Sequence, residues 1–388
     1  MINRLAGVVQ SILNERPGAQ EVEVAVDTPG ETAAGQPVVR TAVNITELTG
    51  KLAPGQRVLL NTVAVEMGLG TGGFDFVVTC LDGEHSQSTP DGHIIKLRYT
   101  PLQTPVLSVE SPESPHHDAL RLFAGLDDTP VVCTELHSQL PAICAAAHWS
   151  ARVQGCSRQP RIAYVMTDGA ALPIALSKLV PEMKERGWLD ASITCGQAFG
   201  GDYEAINLYS ALAAARVVVR ADIIVVGPGP GTVGTATPLG FTGIDQGLAI
   251  NAAASLGGVP IVAPRISFAD SRSRHTGLSH HTITVLQKVA RAATLVAMPR
   301  LPEDQRRAVE ECLEISGMDE RHEAVYIDAE KGLQALIDSG MPVLTMGRTL
   351  HEERAFFLAA AATGLLASQF AEAKIQGMDE PSQLSMWE

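Results

Sequence analysis

Aromatic residues make up only 4% of this 388-residue chain. Single strands of nucleic acid are held by stacking their bases on aromatic platforms, so the scarcity argues against DNA or RNA as a partner. Positive charge is short as well: 29 lysines and arginines stand against 43 acids, a formal net charge of -14. Neutralising a phosphate backbone takes clustered cations, so nonspecific duplex binding is disfavoured too. No apolar run reaches the ~18 residues that a bilayer span needs. Residues 1–10 carry one cation but neither a sustained apolar core nor a small-residue cleavage site, so no signal peptide and no membrane partner are expected. The six cysteines (Cys80, Cys133, Cys144, Cys156, Cys195 and Cys312) show no Cys-x-x-Cys spacing. That disfavours structural zinc and a disulfide framework, and makes a cytoplasmic protein the expectation. A Walker A loop and a Gly-x-Ser-x-Gly elbow are both missing, which counts against P-loop nucleotide hydrolysis and an α/β-hydrolase.

What is present is a change of period near residue 130. Residues 1–100 read as a β-rich domain, a small barrel or sandwich. Val22–Val26, Arg57–Val63 and Phe74–Cys80 are rich in β-branched residues, and glycine- and proline-containing turns bound them. Residues 101–128 read as a proline-rich linker in which His116 and His117 form a solvated pair. The glycine-rich stretch 67–73 reads as a hairpin turn.

From residue 129 to 374, short apolar runs alternate with helical patterns of 10 to 18 residues. The runs are 131–133, 161–166, 191–194, 222–226, 259–262, 294–297, 324–327 and 343–345, with helices near 139–153, 173–187, 203–219, 245–256, 279–292, 303–316, 329–338 and 350–371. Such alternation predicts an α/β fold: a doubly wound, mainly parallel, Rossmann-like three-layer domain. The alanine-rich helix around Phe356–Phe370 fits either a core helix or a homo-oligomer face. Residues 375–388 read as a frayed tail.

In a parallel sheet the loops after the strands converge on one edge. They would bring together Glu135 and His137, Asp168, Asp202, and the loop of Gly229, Gly231, Thr232 and Gly234. The last loop has the Gly-x-Gly-x-x-Gly spacing, but prolines interrupt it and helical periodicity resumes only near Asp245. An anion-binding nest therefore fits it better than a dinucleotide site. The fifth loop, residues 265–282, holds three arginines, three histidines and four serines around one acid. Between Gly227 and Arg300 six bases stand against two acids, and an arginine-rich island on an acidic chain is where a small anionic ligand would sit.

Five sequences, Gly-Leu-Gly-Thr-Gly-Gly-Phe (68–74), Gly-His-Ile-Ile-Lys-Leu-Arg-Tyr-Thr-Pro (92–101), Glu-Leu-His-Ser-Gln-Leu-Pro (135–141), Gly-Pro-Gly-Pro-Gly-Thr-Val-Gly-Thr (227–235) and Leu-Ser-His-His-Thr (278–282), resemble a bacterial family of unknown function over nearly the whole chain. The resemblance implies kinship and carries no catalytic residue.

The leading expectation is an enzyme acting on a small anionic metabolite, phosphorylated or not, by hydrolysis or group transfer. Arg265, Arg272 and Arg274 bind the anion, the glycine nest orients it, and His275 or His280 moves the proton with Asp168, Glu135 or Asp202 as partner. One rival is a metal-dependent hydrolase with ligands drawn from His137, Asp270, His275 and His280. On a helix the adjacent pair His280–His281 points about 100° apart, so only one of the two is expected to ligate. The other rival is a non-catalytic ligand sensor. The sequence names no cofactor.

Overall fold

Alternating valines in the first hundred residues bury one side of each strand, and five strands close on those side chains. A computed structural model describes residues 3–27, 38–69, 72–82, 92–316 and 321–377, and the chain divides into two units, Met1–Val106 and Leu107–Glu388. In the first unit β1 (Arg4–Arg16), β2 (Ala19–Val26), β3 (Val38–Ile45), β4 (Arg57–Asn61) and β5 (Asp75–Cys80) form a closed barrel in the order β1-β2-β3-β5-β4. The β3–β5 pair is parallel and the other pairs are antiparallel. This is the Greek-key arrangement of small OB-type barrels. Strand β1 serves two neighbours, and two register shifts, at Val9/Ser11 and Ile12/Asn14, interrupt its ladder with β2. Short helices α1 (Thr46–Thr49) and α2 (Val63–Glu66) fill connections, and a hairpin of β6 (Ile94–Lys96) and β7 (Thr104–Val106) ends the unit. The glycine-rich stretch 67–73 includes residues 70 and 71, which lie outside the described residues.

The second unit is Rossmann-like. Strands β8 (Pro130–Cys133), β9 (Ile162–Thr167), β10 (Ala191–Thr194), β11 (Tyr203–Glu204), β12 (Ile223–Pro228), β13 (Val259–Val262), β16 (Leu295–Pro299) and β17 (Glu323–Ile327) make one sheet, in the order β11-β10-β9-β12-β8-β13-β16-β17. All its pairs are parallel. The intervening β14 (Ile266–Ser267) and β15 (Gly277–Leu278) form a separate ladder, as do β18 (Leu344–Thr345) and β19 (Arg348–Thr349). The last apolar run, 343–345, therefore builds a hairpin and not a ninth strand of the sheet. The central strands are buried on both sides, which is why they read as unbroken apolar runs.

One face of the sheet packs α4 (Leu140–Val153), α5 (Leu179–Glu185), α10 (Glu330–Asp338) and α11 (Arg354–Gln376). The other packs α6 (Leu208–Val217), α7 (Asp245–Ser255), α8 (His280–Thr284) with its π-helical continuation Val285–Val289, and α9 (Glu303–Ser316). The stretch read as a linker is partly built into this unit. It carries α3 (His117–Arg121), Val109 N–H donates to the Glu204 carbonyl at 2.7 Å, and Leu126 N–H donates to the Leu256 carbonyl at 2.8 Å. His116 packs edge-on against Tyr203, and His117 Nδ1 pairs with the Glu110 carbonyl at 2.7 Å, so the two are not simply solvated.

Helix α11 is long and apolar enough by composition to cross a membrane, but its most apolar window is 89% buried inside the unit. It crosses α4 so closely that a Cβ on Gly364 would lie 2.2 Å from the Ile143 carbonyl oxygen. Phe356 and Phe357 face this core, so they are not available as a dimer surface. The helix also runs past the expected end of periodicity, because Ala371, Glu372 and Ala373 are buried; residues 378–388 lie outside the described residues.

Strand β8 leads into α4 on one face, whereas its neighbours β12 and β13 lead to helices on the other. The chain parts at that point, a topological switch beyond the carboxyl end of β8, the place where open α/β sheets hold ligands.

Candidate functional site

Three loops meet beyond these strand ends, those after β8, β13 and β12. The first, after β8, begins Thr134–Glu135. The second, after β13, turns back on itself through the β14–β15 ladder, which sets Ile266 opposite Leu278. That pairing brings the 3-10 turn Ser273–His275 up against the start of α8. Ser279 is the N-cap of α8, a small hydroxyl residue of the kind that position favours, and its Oγ accepts from His281 N–H at 3.2 Å. Arg265 N–H donates to Thr282 Oγ1 at 3.0 Å and the Arg265 carbonyl accepts from Ser279 N–H at 2.9 Å, which closes the loop at its base.

The result is a cluster of three imidazoles. Ring centroids lie 4.9 Å apart for His275–His280, 4.8 Å for His275–His281 and 4.3 Å for His280–His281. One ligand nitrogen from each falls within 4.8 Å of the others. The expected divergence of His280 and His281 is thus corrected. They occupy the first turn of a five-residue helix, and His275 approaches from a separate turn to meet both. Glu135 Oε1 accepts from His281 Nδ1 at 2.7 Å. A carboxylate can only accept, so Nδ1 carries a proton and Nε2 is the ring nitrogen left to meet a ligand. His275 Nδ1 pairs with Ser279 Oγ at 2.8 Å. His280 Nε2 is buried and has no hydrogen-bond partner. Burial, then the positive charges of Arg265 and Arg272, push the His275 imidazole down to about 3. Burial and the neighbouring His281 push His280 down to about 4. Both rings are neutral at pH 7, as ligation requires. The Phe241 ring lies flat on His281, with centroids 3.8 Å apart and planes 2° from parallel.

Behind the imidazoles lies an ion network. Arg265, 4% exposed, donates to Glu135 Oε1 at 3.1 Å and to Asp270 Oδ2 at 3.3 Å. Asp270 also takes Arg272 as a fork, at 2.9 Å from Nε and 2.7 Å from Nη2, with Arg348 Nη2 at 3.6 Å. Arg348 in turn donates to Glu353 Oε2 at 2.5 Å. The Arg272 bonds hold the Asp270 carboxyl far below its ordinary range despite its burial. Burial raises Glu135, but the bond from His281 and the charge of Arg265 outweigh it and leave the carboxyl below the usual range. Gly243 lies against this acid: a Cβ there would sit 2.5 Å from Glu135 Cγ.

The other residues singled out in the sequence divide. The glycine loop reaches the cluster, since a Cβ on Gly234 would lie 3.8 Å from His281 Cε1. It does so as a turn, with Gly231 at φ 93° and Gly234 bridging Phe241, while α7 begins only at Asp245. Gly229 packs against the Ala171 carbonyl, and Thr232 is half-buried in the same turn. Asp270 was a metal candidate, but arginines take both of its oxygens. His137 was another; it is buried away from the cluster's hydrogen bonds, with Nδ1 on Tyr164 Oη at 3.1 Å and Nε2 on Ser177 Oγ at 2.7 Å. Asp202 is committed to the Ser192 N–H and hydroxyl and to Lys184. Asp168 accepts from Gln197 N–H at 2.8 Å and helps burial raise the Asp245 carboxyl. Sequence reasoning counted Gly347–Thr349, which holds Arg348, among the converging loops, but did not assign His281, Phe241, Gly243 or Glu353 to the site. Of these four, only His281 carried a signal, its place in the histidine-rich loop.

His137 gives a pH test independent of the cluster. Burial lowers its folded value to about 4, from an ordinary 6.5. Below 6.5 the unfolded chain takes up a proton that the folded chain refuses, so stability is full above pH 6.5 and is lost as pH falls toward 4. The loss is on the order of 3 kcal/mol. Chemical denaturation of wild type and His137→Gln across that window should show the wild type losing more, with parallel curves counting against it.

Residues 41–364 match the model of a family described as a protein of unknown function. No curated protein matches the chain.

Proposed function

We propose, for a chain that belongs to the protein-of-unknown-function family DUF3866 and inherits no activity from it, that this protein is a metal-dependent hydrolase. One observation carries the reading: three imidazoles, of which burial keeps His275 and His280 neutral, present ligand nitrogens within 4.8 Å of one another, and the Nδ1 atoms of two are already held by Glu135 and Ser279. Histidines that ligate a metal characteristically hand their other ring nitrogen to a carboxylate or similar partner. Imidazoles suit zinc and its neighbours in the transition series. Three protein ligands leave a fourth position for water, the arrangement of catalytic rather than structural sites.

When bound, such an ion supplies Lewis acidity and an acidic water. The rest is the work of the chain. His275, His280 and His281 hold the ion. Glu135 fixes the tautomer and ring plane of His281, and Arg265 fixes Glu135. Phe241 shields one face of His281 from water. Two of the arginines expected to bind an anion are instead paired with acids, so acid–base chemistry on an arginine-held anion has less support than the metal reading. Free thiols at all six cysteines support a reducing, cytoplasmic setting.

The test is elemental analysis of the purified protein after growth with added zinc. About one transition ion per chain is expected. It should be removable by chelator with a drop in melting temperature, and absent from the His275→Ala/His280→Ala variant. Chelator-sensitive release of nitrophenol from nitrophenyl esters or phosphates would establish hydrolysis. A chain that takes up no zinc, cobalt, nickel or manganese in equilibrium dialysis would overturn the reading.

A further inference from the structure

We infer that the substrate of this site bears an oxyanion, a carboxylate or phosphate, and that Arg274 binds it; the inference rests on the metal reading above. The loop after β13 carries three arginines, and the structure separates them by what they touch. Arg265 is buried between Glu135 and Asp270, and Arg272 is forked onto Asp270. Nearby Arg348 is held by Glu353 and Asp270. Arg274 is exposed, and among the described residues no carboxylate pairs with it. It lies in the 3-10 turn Ser273–His275, immediately before His275, one of the three clustered histidines.

Neither burial nor an ion pair occupies the Arg274 guanidinium, so it is free to meet a ligand. In a chain of net charge -14, an uncompensated guanidinium beside the site concentrates anions there. The planar fork matches two oxygens of a carboxylate or phosphate, which a neutral amide or alcohol does not offer.

The experiment uses the full chain loaded with cobalt(II), whose visible absorption reports on ligands entering the metal's open position. Inorganic phosphate and acetate are titrated into wild type, Arg274→Ala and Arg274→Lys, with neutral imidazole as control. Arg274→Ala should weaken the oxyanion that binds wild type by about tenfold or more, the scale of a charge-assisted hydrogen bond. Arg274→Lys should recover part of the loss, and imidazole should bind all three alike. Whichever of phosphate and acetate loses more names the oxyanion. Equal oxyanion affinity in wild type and Arg274→Ala, with the cobalt spectrum intact, overturns the role of Arg274 alone. A chain that binds no cobalt overturns the metal reading, and this inference with it.

Discussion

Arg265→Ala should cost about 3–5 kcal/mol of folding stability, the range for removing one partner of a buried ion pair. The side chain is 5% exposed, and the carboxylates it joins, Glu135 and Asp270, are 1% and 2% exposed. Without it Asp270 keeps Arg272 and Arg348, but Glu135 keeps only His281, and its Oε2 is already without a partner. The penalty comes from the stranded acid more than from the lost contact. Lysine should not rescue, because a single ammonium cannot fork between two carboxylates. Arg272→Ala is the comparison: that side chain is 39% exposed and Asp270 retains Arg265, so about 1 kcal/mol is expected. Urea unfolding of both variants, stripped of metal so that lost ligation does not enter, measures the two costs. Equal costs would mean that burial does not set the energetics of this network.

The same network explains why the site was only half legible. Within residues 227–300 the sequence shows six bases against two acids, and that local excess reads as an anion site. Asp270 compensates Arg272 from nearby, but the second acid on Arg265 is distant in the chain. Glu135 is 130 residues from Arg265. Local charge counting cannot see a pairing that the sheet topology creates. The fold was more accessible, because strands buried on both faces leave continuous apolar runs, and these appear in the parallel sheet. Elements that do not bury in that way were missed. Strand β1 carries charged residues and bends through two bulges, and β11 is two residues long and abuts the pattern of α6. The histidine geometry failed for a related reason. The 100° separation holds along a helix, but the cluster is assembled across two turns that a short β ladder brings together.

His281→Ala should lower metal affinity by more than about 100-fold, and Glu135→Gln by about 10–100-fold, the usual cost of altering a residue that orients a ligand. The order matters more than either value. Alanine removes a donor nitrogen. Glutamine keeps the volume of Glu135 and an oxygen that can still accept from His281 Nδ1, but it removes the negative charge that makes the imidazole a better ligand. Phe241→Leu removes only the stacked ring and should cost less than tenfold. Competition with a chromophoric zinc chelator ranks all three on one scale. A steep fall for His281, an intermediate one for Glu135 and a shallow one for Phe241 is what a metal centre with a carboxylate behind it predicts. If all three variants retained zinc equally, the imidazoles would not be its ligands. The cluster would then be a polar seam between α8 and the loop after β12, held by Phe241 stacking and the Glu135 bond alone.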